Sequence, residues 1–155
     1  MNPPMRGLYF EEFEVGQRVY SPGRTVTEAD VLAFAGLSGD FNTIHTDAEF
    51  AQGTPFGERV AHGLLGLSIA SGLAVRTGVM EGTVIAFREI TDWKFSLPVY
   101  FGDTIHIVIE VVEKKALPRL GGGSLLLAVD VQNQENKTVM RGSWNVLVKS
   151  KPEEG

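Results

Sequence analysis

The chain has 155 residues, of which 43% are hydrophobic and 21% charged, and its formal net charge is −5. This length and composition are typical of a single globular domain with its own core, which we expect to span residues 1–155. The acidic balance argues against a general nucleic-acid binder, because a phosphate backbone requires a basic face. The lack of cysteine excludes disulfides, thiolate nucleophiles and zinc-finger sites.

Both termini are predicted to be irregular. Residues 1–7 contain Pro3 and Pro4, which disfavour regular structure, and the segment lacks the apolar core of a secretory signal. We therefore expect a loose N-terminal arm over residues 1–7 and a frayed tail over residues 150–155. The most apolar run, residues 64–75, is shorter than the roughly 20 residues of a membrane span. A cytoplasmic protein without a membrane partner is the expectation.

The first half of the chain predicts three helices after a short extended segment over residues 17–26. Thr27 and Asp30 form a helix start, since Thr27 can cap and acidic side chains suit the positive helix end. A short helix follows over residues 47–51. The helix over residues 63–78 is hydrophobic nearly all round, so we expect protein to surround it on most sides.

The second half of the chain has the pattern of long antiparallel strands, rich in Val, Ile, Thr and aromatic residues. His106 falls on a solvent or interface face, because it alternates with buried-type isoleucines. A flexible loop is expected over residues 118–123 and a tight hairpin turn at Asn136-Lys137. The predicted strands are residues 83–95, 103–113, 125–134 and 139–149.

One apolar helix followed by such strands predicts an α+β domain, in which an antiparallel sheet wraps around a central buried helix. The exposed edge of such a sheet is an aggregation liability that pairing with a second copy would cover. We therefore expect a homodimer, or a higher homo-oligomer built from dimers.

The polar stretch between the first two helices carries the strongest chemical signal. Asp40 and His45 lie five residues apart in Ser38-Gly39-Asp40-Phe41-Asn42-Thr43-Ile44-His45. A carboxylate and an imidazole that converge on one point can hold a water molecule, remove a proton from it and deliver a proton elsewhere. The spacing thus indicates general acid–base chemistry, with the remaining chain as its container.

The segment from Phe34 to His45 closely resembles the hydratase motif of the MaoC-like (R)-specific enoyl-CoA hydratases and dehydratases, which have the hot-dog fold. The resemblance continues through Arg59-Val60-Ala61-His62-Gly63, Ser71-Gly72, Lys94-Phe95-Ser96-Leu97-Pro98-Val99 and Gly102-Asp103-Thr104, and covers most of residues 15–148.

The resemblance implies a hydro-lyase that adds water syn to a 2-enoyl-CoA and gives an (R)-3-hydroxyacyl product. Asp40 and His45 would be its catalytic pair, and the Gly63 N–H would polarise the thioester carbonyl. Ser71 would be an auxiliary polar group, and Asn42 would satisfy loop backbone groups or contact substrate. The acyl-CoA is the implied substrate, and no cofactor is expected. We assign Asp40 as the base and His45 as the group that orients water and helps to protonate C2. The sequence leaves this division open, since a coupled pair can share the proton either way.

Some alternatives remain open. The family has Pro after the Asn of the motif, whereas this chain has Thr43, so a fixed backbone torsion is lost. A hot-dog thioesterase, which directs the attack at C1, and a non-catalytic acyl-thioester-binding subunit are the competing hypotheses. The sequence leaves the acyl chain open, as well as the choice between coenzyme A and acyl carrier protein.

Several other polar and aromatic residues have a structural alternative. His62 is interpreted as structural, and Ser71 can equally bond the backbone one turn back. Three dispersed histidines do not match common metal-ligand spacings, so no metal is expected. Four aromatic residues could line an acyl tunnel, although packing in the core or a dimer is the simpler hypothesis: Phe87, Trp93, Phe95 and Trp144. Four cationic residues could contact the phosphates of coenzyme A, although a solvated charge or a surface ion pair is the simpler hypothesis: Arg24, Arg59, Arg88 and Lys94.

Overall fold

The computed structural model describes residues 6–154. Within this range, one antiparallel sheet has the strand order β1-β4-β5-β6-β3, and β2 pairs with β4 beside β1. Helix α4 packs on one face of this sheet, so the predicted α+β class is confirmed. The strands are β1 (Arg18–Tyr20), β2 (Arg24–Thr25), β3 (Val84–Phe95), β4 (Thr104–Leu117), β5 (Gly122–Gln132) and β6 (Thr138–Lys149); the helices are α1 (Glu28–Ser38), α2 (Thr43–Thr46), α3 (Ala48–Gln52) and α4 (Gly63–Arg76).

The core lies between the sheet and α4. On β4, alternate side chains from Ile105 to Val111 are buried, whereas His106 between them lies on the opposite face, as predicted from the alternation. Apolar side chains of β5, β6 and α4 complete the same cluster, and Trp144 is the largest fully buried one. Removal of this apolar surface from water is the main force that holds helix and sheet together.

Helix α1 directs the chain into the polar stretch. Its start is a capping box, in which the Asp30 N–H donates to Thr27 Oγ1 at 3.1 Å and the Thr27 N–H donates to Asp30 Oδ2 at 3.0 Å. The hydrogen bond from the Thr27 backbone lowers the pKa of Asp30. At the other end, Gly39 adopts φ of 81°, a left-handed conformation that glycine tolerates best. The helix therefore stops immediately before Asp40.

Helix α4 is less enclosed than its sequence predicts. Leu65, Ile69 and Leu73 face the core, but the opposite stripe is open, with Leu64 61% and Val75 45% exposed. The prediction that protein surrounds this helix on most sides is therefore wrong for the single chain. Among the described residues, no helix is both long and apolar enough to cross a membrane.

The termini are more firmly attached than predicted. Residues 1–5 of the expected loose arm lie outside the described residues, but the prediction is wrong for Arg6 and Gly7. The Gly7 N–H donates to the Glu81 carbonyl at 2.7 Å, and Arg6 pairs with Glu12 at 2.8 Å. That hydrogen bond from Arg6 lowers the pKa of Glu12 to about 2.

At the C-terminus, residues 150–154 have no regular structure, as expected of a frayed tail, and residue 155 lies outside the described part. The first two tail residues are nevertheless attached. The Ser150 N–H donates to the Gly121 carbonyl, and the Lys151 N–H donates to Glu11 Oε2, both at 3.0 Å.

The flexible loop predicted over residues 118–123 is wrong for its last two residues. Residues Pro118–Leu120 form one 3-10 turn, but Gly122 and Gly123 already belong to β5 and are buried. A Cβ on Gly122 would collide with the Val148 carbonyl oxygen, and one on Gly123 with the Phe10 ring. These glycines allow Val148 and Phe10 to pack closely against the β5 backbone, and they do not form a flexible loop. The hairpin turn predicted at Asn136-Lys137 is confirmed, with Asn136 at φ of 58°.

Candidate active site

Asp40 lies in the short loop between α1 and α2. The loop fixes one of its carboxylate oxygens, because the Asn42 N–H donates to Asp40 Oδ1 at 3.1 Å. The Asp40 N–H in turn donates to Ser38 Oγ at 3.1 Å. Oδ2 accepts no hydrogen bond from the part of the chain that the structure describes, so it can receive a proton.

His45 lies on α2, where its ring is held by the backbone before α4. Its Nδ1 lies 2.7 Å from the Val60 carbonyl oxygen, which can only accept, so Nδ1 carries the proton. Residues 60 and 61 are themselves fixed, because the Ala61 N–H donates to the Val99 carbonyl at 2.8 Å. In neutral His45, the bare nitrogen is therefore Nε2, which can accept a proton.

The fold brings a third side chain to this pair. His62, only 3% exposed, stacks on His45 with the ring centroids 3.7 Å apart and the ring planes 28° apart. One carboxylate oxygen of Asp40 and one nitrogen from each histidine lie within 4.8 Å of one another. Two groups that lie up to about 5 Å apart can both hydrogen-bond one water molecule, since each hydrogen bond spans about 2.8 Å. The Asp40 carboxylate and His45 can thus hold one water between them.

The same three residues are a poor fit to a metal ion. An imidazole nitrogen binds a metal in the plane of its ring at about 2.0–2.1 Å. The two stacked rings are nearly parallel, so their planes meet well beyond that distance. A common ion would require at least one ring to turn and break its hydrogen bond to a backbone carbonyl. That no metal or cofactor is needed stays a prediction.

Gly63 begins α4 immediately after His62, so its N–H belongs to the first turn, where donors have no partner within the helix. A cavity of about 240 Å³ opens beside it, with walls that include His62, Phe95, Leu97 and Val99. The Phe95 ring covers Gly63 so closely that a Cβ there would lie 2.7 Å from Phe95 Cε1. The cavity is thus apolar, with a helix N-terminus at one end.

The other two candidate site residues, Asn42 and Ser71, both hydrogen-bond the backbone of their own helix. Asn42 caps α2, because its Oδ1 accepts from the Ile44 N–H at 3.5 Å. Ser71 is exposed on α4, about 12 Å along the helix axis from Gly63, and its hydroxyl donates to the Ser68 carbonyl at 2.6 Å. Thr43 occupies the first position of α2, a position where proline is favoured. The helix forms here with threonine, so proline is not required for it. The substrate contacts of Asn42 and Ser71 stay predictions.

Most of the alternative aromatic and cationic candidates have other partners. Trp144 is buried and stacks with Trp93, with the ring centroids 5.9 Å apart, whereas Phe95 lines the cavity beside Gly63. Two of the four proposed phosphate ligands form ion pairs, Arg24 with Asp30 at 3.0 Å and Arg59 with Glu28 at 2.9 Å.

A larger depression lies elsewhere on the described part of the chain. It has about 850 Å³ and lies on the sheet face opposite α4. Of the candidate residues it contains Lys94, a possible phosphate contact, but neither the catalytic pair nor Gly63. Its walls mix cations and carboxylates, such as Arg18, Lys94, Arg141, Glu110 and Asp130. Such a surface does not suit an apolar acyl chain, so the smaller cavity at Gly63 is the better candidate site.

The family model described as "MaoC like domain" matches residues 11–125. The chain is 46% identical to Protein MaoC of Klebsiella aerogenes over 99 residues, which are 64% of this chain but only 29% of that protein. It is 36% identical to 3-hydroxybutyryl-CoA dehydratase of Methylorubrum extorquens over 113 residues, with 73% and 69% of the two chains covered.

Solved structures of similar proteins have the same fold. An unliganded R-hydratase from Pseudomonas aeruginosa has a TM-score of 0.79 and 32% identity, with 94% of this chain and 88% of that chain covered. A protein of Mycobacterium tuberculosis described as having a double hot-dog fold has a TM-score of 0.83 at 21% identity. The match covers 96% of this chain and 46% of that one. The predicted hot-dog fold is thereby confirmed.

Proposed function

The chain belongs to the MaoC-like domain family, and from this premise we propose that it is a hydro-lyase that hydrates 2-enoyl-CoA to (R)-3-hydroxyacyl-CoA and catalyses the reverse dehydration. One observation carries the proposal. The Asp40 carboxylate and His45 converge within 4.8 Å, and the hydrogen bond to Val60 leaves His45 Nε2 free to exchange a proton. The names of the dehydratase relative and of the R-hydratase structure support the same reaction.

The two groups divide the chemistry of one water molecule. Asp40 takes a proton from water as the water oxygen bonds to C3, and the double bond electrons move toward the thioester oxygen. His45 Nε2 orients that water, and a proton returns to C2 through the pair. All the atoms of one water molecule are thus added across C2 and C3, and both catalytic groups return to their starting protonation states. A general acid–base pair of this kind contributes about 10²–10⁴-fold to rate.

Gly63 serves the charge that develops on the thioester oxygen. Within residues 6–154 its N–H has no hydrogen-bond partner. It lies at the positive end of α4, and one such donor is worth about 2.7–4 kcal/mol of barrier. Because glycine lacks a side chain, the Phe95 ring can pack directly against this backbone and form a wall of the cavity beside the donor. The acyl chain would then extend along the apolar cavity beneath Phe95.

Gly63→Ala tests this placement. The new Cβ must displace the Phe95 ring, which lies 2.7 Å away, into the cavity. We expect kcat/KM for crotonyl-CoA to fall roughly 10-fold or more, as for other changes of one carbon in a pocket. Gly36→Ala in α1 is the matched control, because a Cβ there meets nothing within 4 Å. It should leave activity unchanged and stabilise the fold by about 0.5–1 kcal/mol; equal kcat/KM for both variants would contradict the placement.

We also propose that the working form is a dimer. Strand β3 lies at one edge of the sheet, and some of its apolar side chains are open to solvent, with Phe87 47% and Phe95 52% exposed. Leu64 and Val75 of α4 are exposed as well, and an open sheet edge together with exposed apolar side chains favours pairing with a second copy. Sedimentation velocity at micromolar concentration should give a dimer, and a monomer at that concentration would contradict the proposal.

The function itself is tested with crotonyl-CoA. Hydration removes the conjugated double bond, so the ultraviolet absorbance of the enoyl thioester should fall when the protein is added. Thiol release from a saturated acyl-CoA, measured in parallel, should stay at the background rate. Thiol release without loss of the enoyl absorbance would favour the thioesterase, and binding of acyl-CoA without either reaction would favour a non-catalytic subunit.

A further inference from the structure

His62 contacts both members of the catalytic pair, although the chemistry above does not use it. Its Nε2 lies 2.8 Å from the backbone carbonyl oxygen of Asp40, and its ring face packs on His45. Phe34 contacts the His62 ring as well, with the centroids 4.9 Å apart. The side chain is almost fully buried between α1, α2 and α4.

The hydrogen bonds determine which nitrogen of His62 carries the proton. The Asp40 carbonyl oxygen can only accept, so His62 Nε2 is the donor, and Nδ1 of the neutral ring is bare. Nδ1 is buried and has no hydrogen-bond partner within residues 6–154. An unpaired buried acceptor costs free energy that an apolar side chain of this size would avoid. The position therefore fits a function for the Nε2–H and the ring, not packing alone.

Each contact restrains one catalytic group. The Nε2–H ties the exposed loop of Asp40 to the start of α4, and so fixes where the carboxylate lies relative to His45. The face of the His62 ring packs on the His45 ring and limits its rotation, while the hydrogen bond to Val60 holds Nδ1. His45 Nε2 therefore stays directed at the reacting water. Because Gly63 follows directly, one residue aligns the base, the imidazole and the oxyanion donor.

From these contacts we propose that His62 is a positioning residue for the hydration reaction, which holds the Asp40 backbone with its Nε2–H and the His45 ring with its face. The role rests on the proposed function. His62 does not touch the reacting atoms in this role, so it should control the rate of the bound complex more than the affinity for substrate.

Two substitutions separate the two contacts. His62→Phe keeps an aromatic face for His45 but removes the donor to Asp40. His62→Gln keeps an N–H near the Nε2 position but removes the ring. We expect His62→Phe to lower kcat roughly 10²-fold, the cost of a misplaced catalytic group, with KM within about threefold of the wild-type value. His62→Gln should recover part of that loss, and His106→Gln, on the opposite sheet face, should match the wild type.

A second measurement does not depend on turnover. The chain has only three histidines, so their tautomers can be read from long-range ¹H–¹⁵N NMR spectra of the whole protein. His62 should carry its proton on Nε2, and neutral His45 on Nδ1. An Nδ1–H tautomer of His62 would overturn the positioning role even if His62→Phe does not fold.

The outcomes are distinct. A wild type that hydrates enoyl thioesters, together with a fully active His62→Phe variant or an Nδ1–H tautomer of His62, would overturn the positioning role alone. A wild type that hydrates none of them, even with the expected tautomers, would overturn the proposed function and with it the role of His62 in that reaction.

Discussion

Asp40→Asn is expected to abolish most hydration of crotonyl-CoA, with kcat lower by about 10²–10⁴-fold. The amide cannot take a proton from water, but its oxygen can still accept the Asn42 N–H that now bonds to Oδ1 at 3.1 Å. The loop should therefore keep its shape, and KM should change much less than kcat. Initial rates from the enoyl absorbance measure both quantities.

Asp92→Asn is the matched control for this change. Asp92 is exposed and has φ of 52°, a conformation that Asn adopts as readily as Asp. The control should keep wild-type activity and thermal stability. If Asp40→Asn also kept its activity while folded, Asp40 would not be the base.

His45→Asn is the second change with a large expected effect. The Asn side-chain amide can replace Nδ1 as the donor to the Val60 carbonyl, now 2.7 Å away, but nothing replaces Nε2. The expected loss in kcat is again about 10²–10⁴-fold. Because the pair acts on one water, the double variant with Asp40→Asn should be hardly slower than the slower single variant.

His106→Asn controls for the loss of a histidine, since His106 hydrogen-bonds Gln132 at 3.2 Å on the far sheet face. It should leave kcat unchanged. Losses in the two single variants that multiply in the double variant would mean that Asp40 and His45 act independently, contrary to a shared water.

The fold was predictable from the sequence wherever the signal is local. The helix start at Thr27 and Asp30 and the alternation of β4 depend on neighbours in the chain, and both are found. Gly122 and Gly123 were misassigned for a physical reason. A glycine signals a turn in the sequence, but here it makes room for Val148 and Phe10, which come from distant segments.

The site divides in the same way. Asp40 and His45 lie in one short stretch, so their proximity could be predicted from the sequence. The contact of His62 with both could not, because it depends on how α4 begins against a loop some twenty residues earlier. The only sequence signal was its position directly before Gly63. The open face of α4 could not be predicted either, since apolar composition does not distinguish a core from an uncovered surface.

The position of the oxygen that enters from water tests the central claim most directly. Wild-type protein would be incubated with crotonyl-CoA in ¹⁸O-labelled water, and the products analysed by mass spectrometry with fragmentation. We predict that the label appears in the C3 hydroxyl of an intact 3-hydroxyacyl-CoA, and that Asp40→Asn forms almost none of this product. Label in the carboxylate of a free acid would contradict the account, because water would then attack C1.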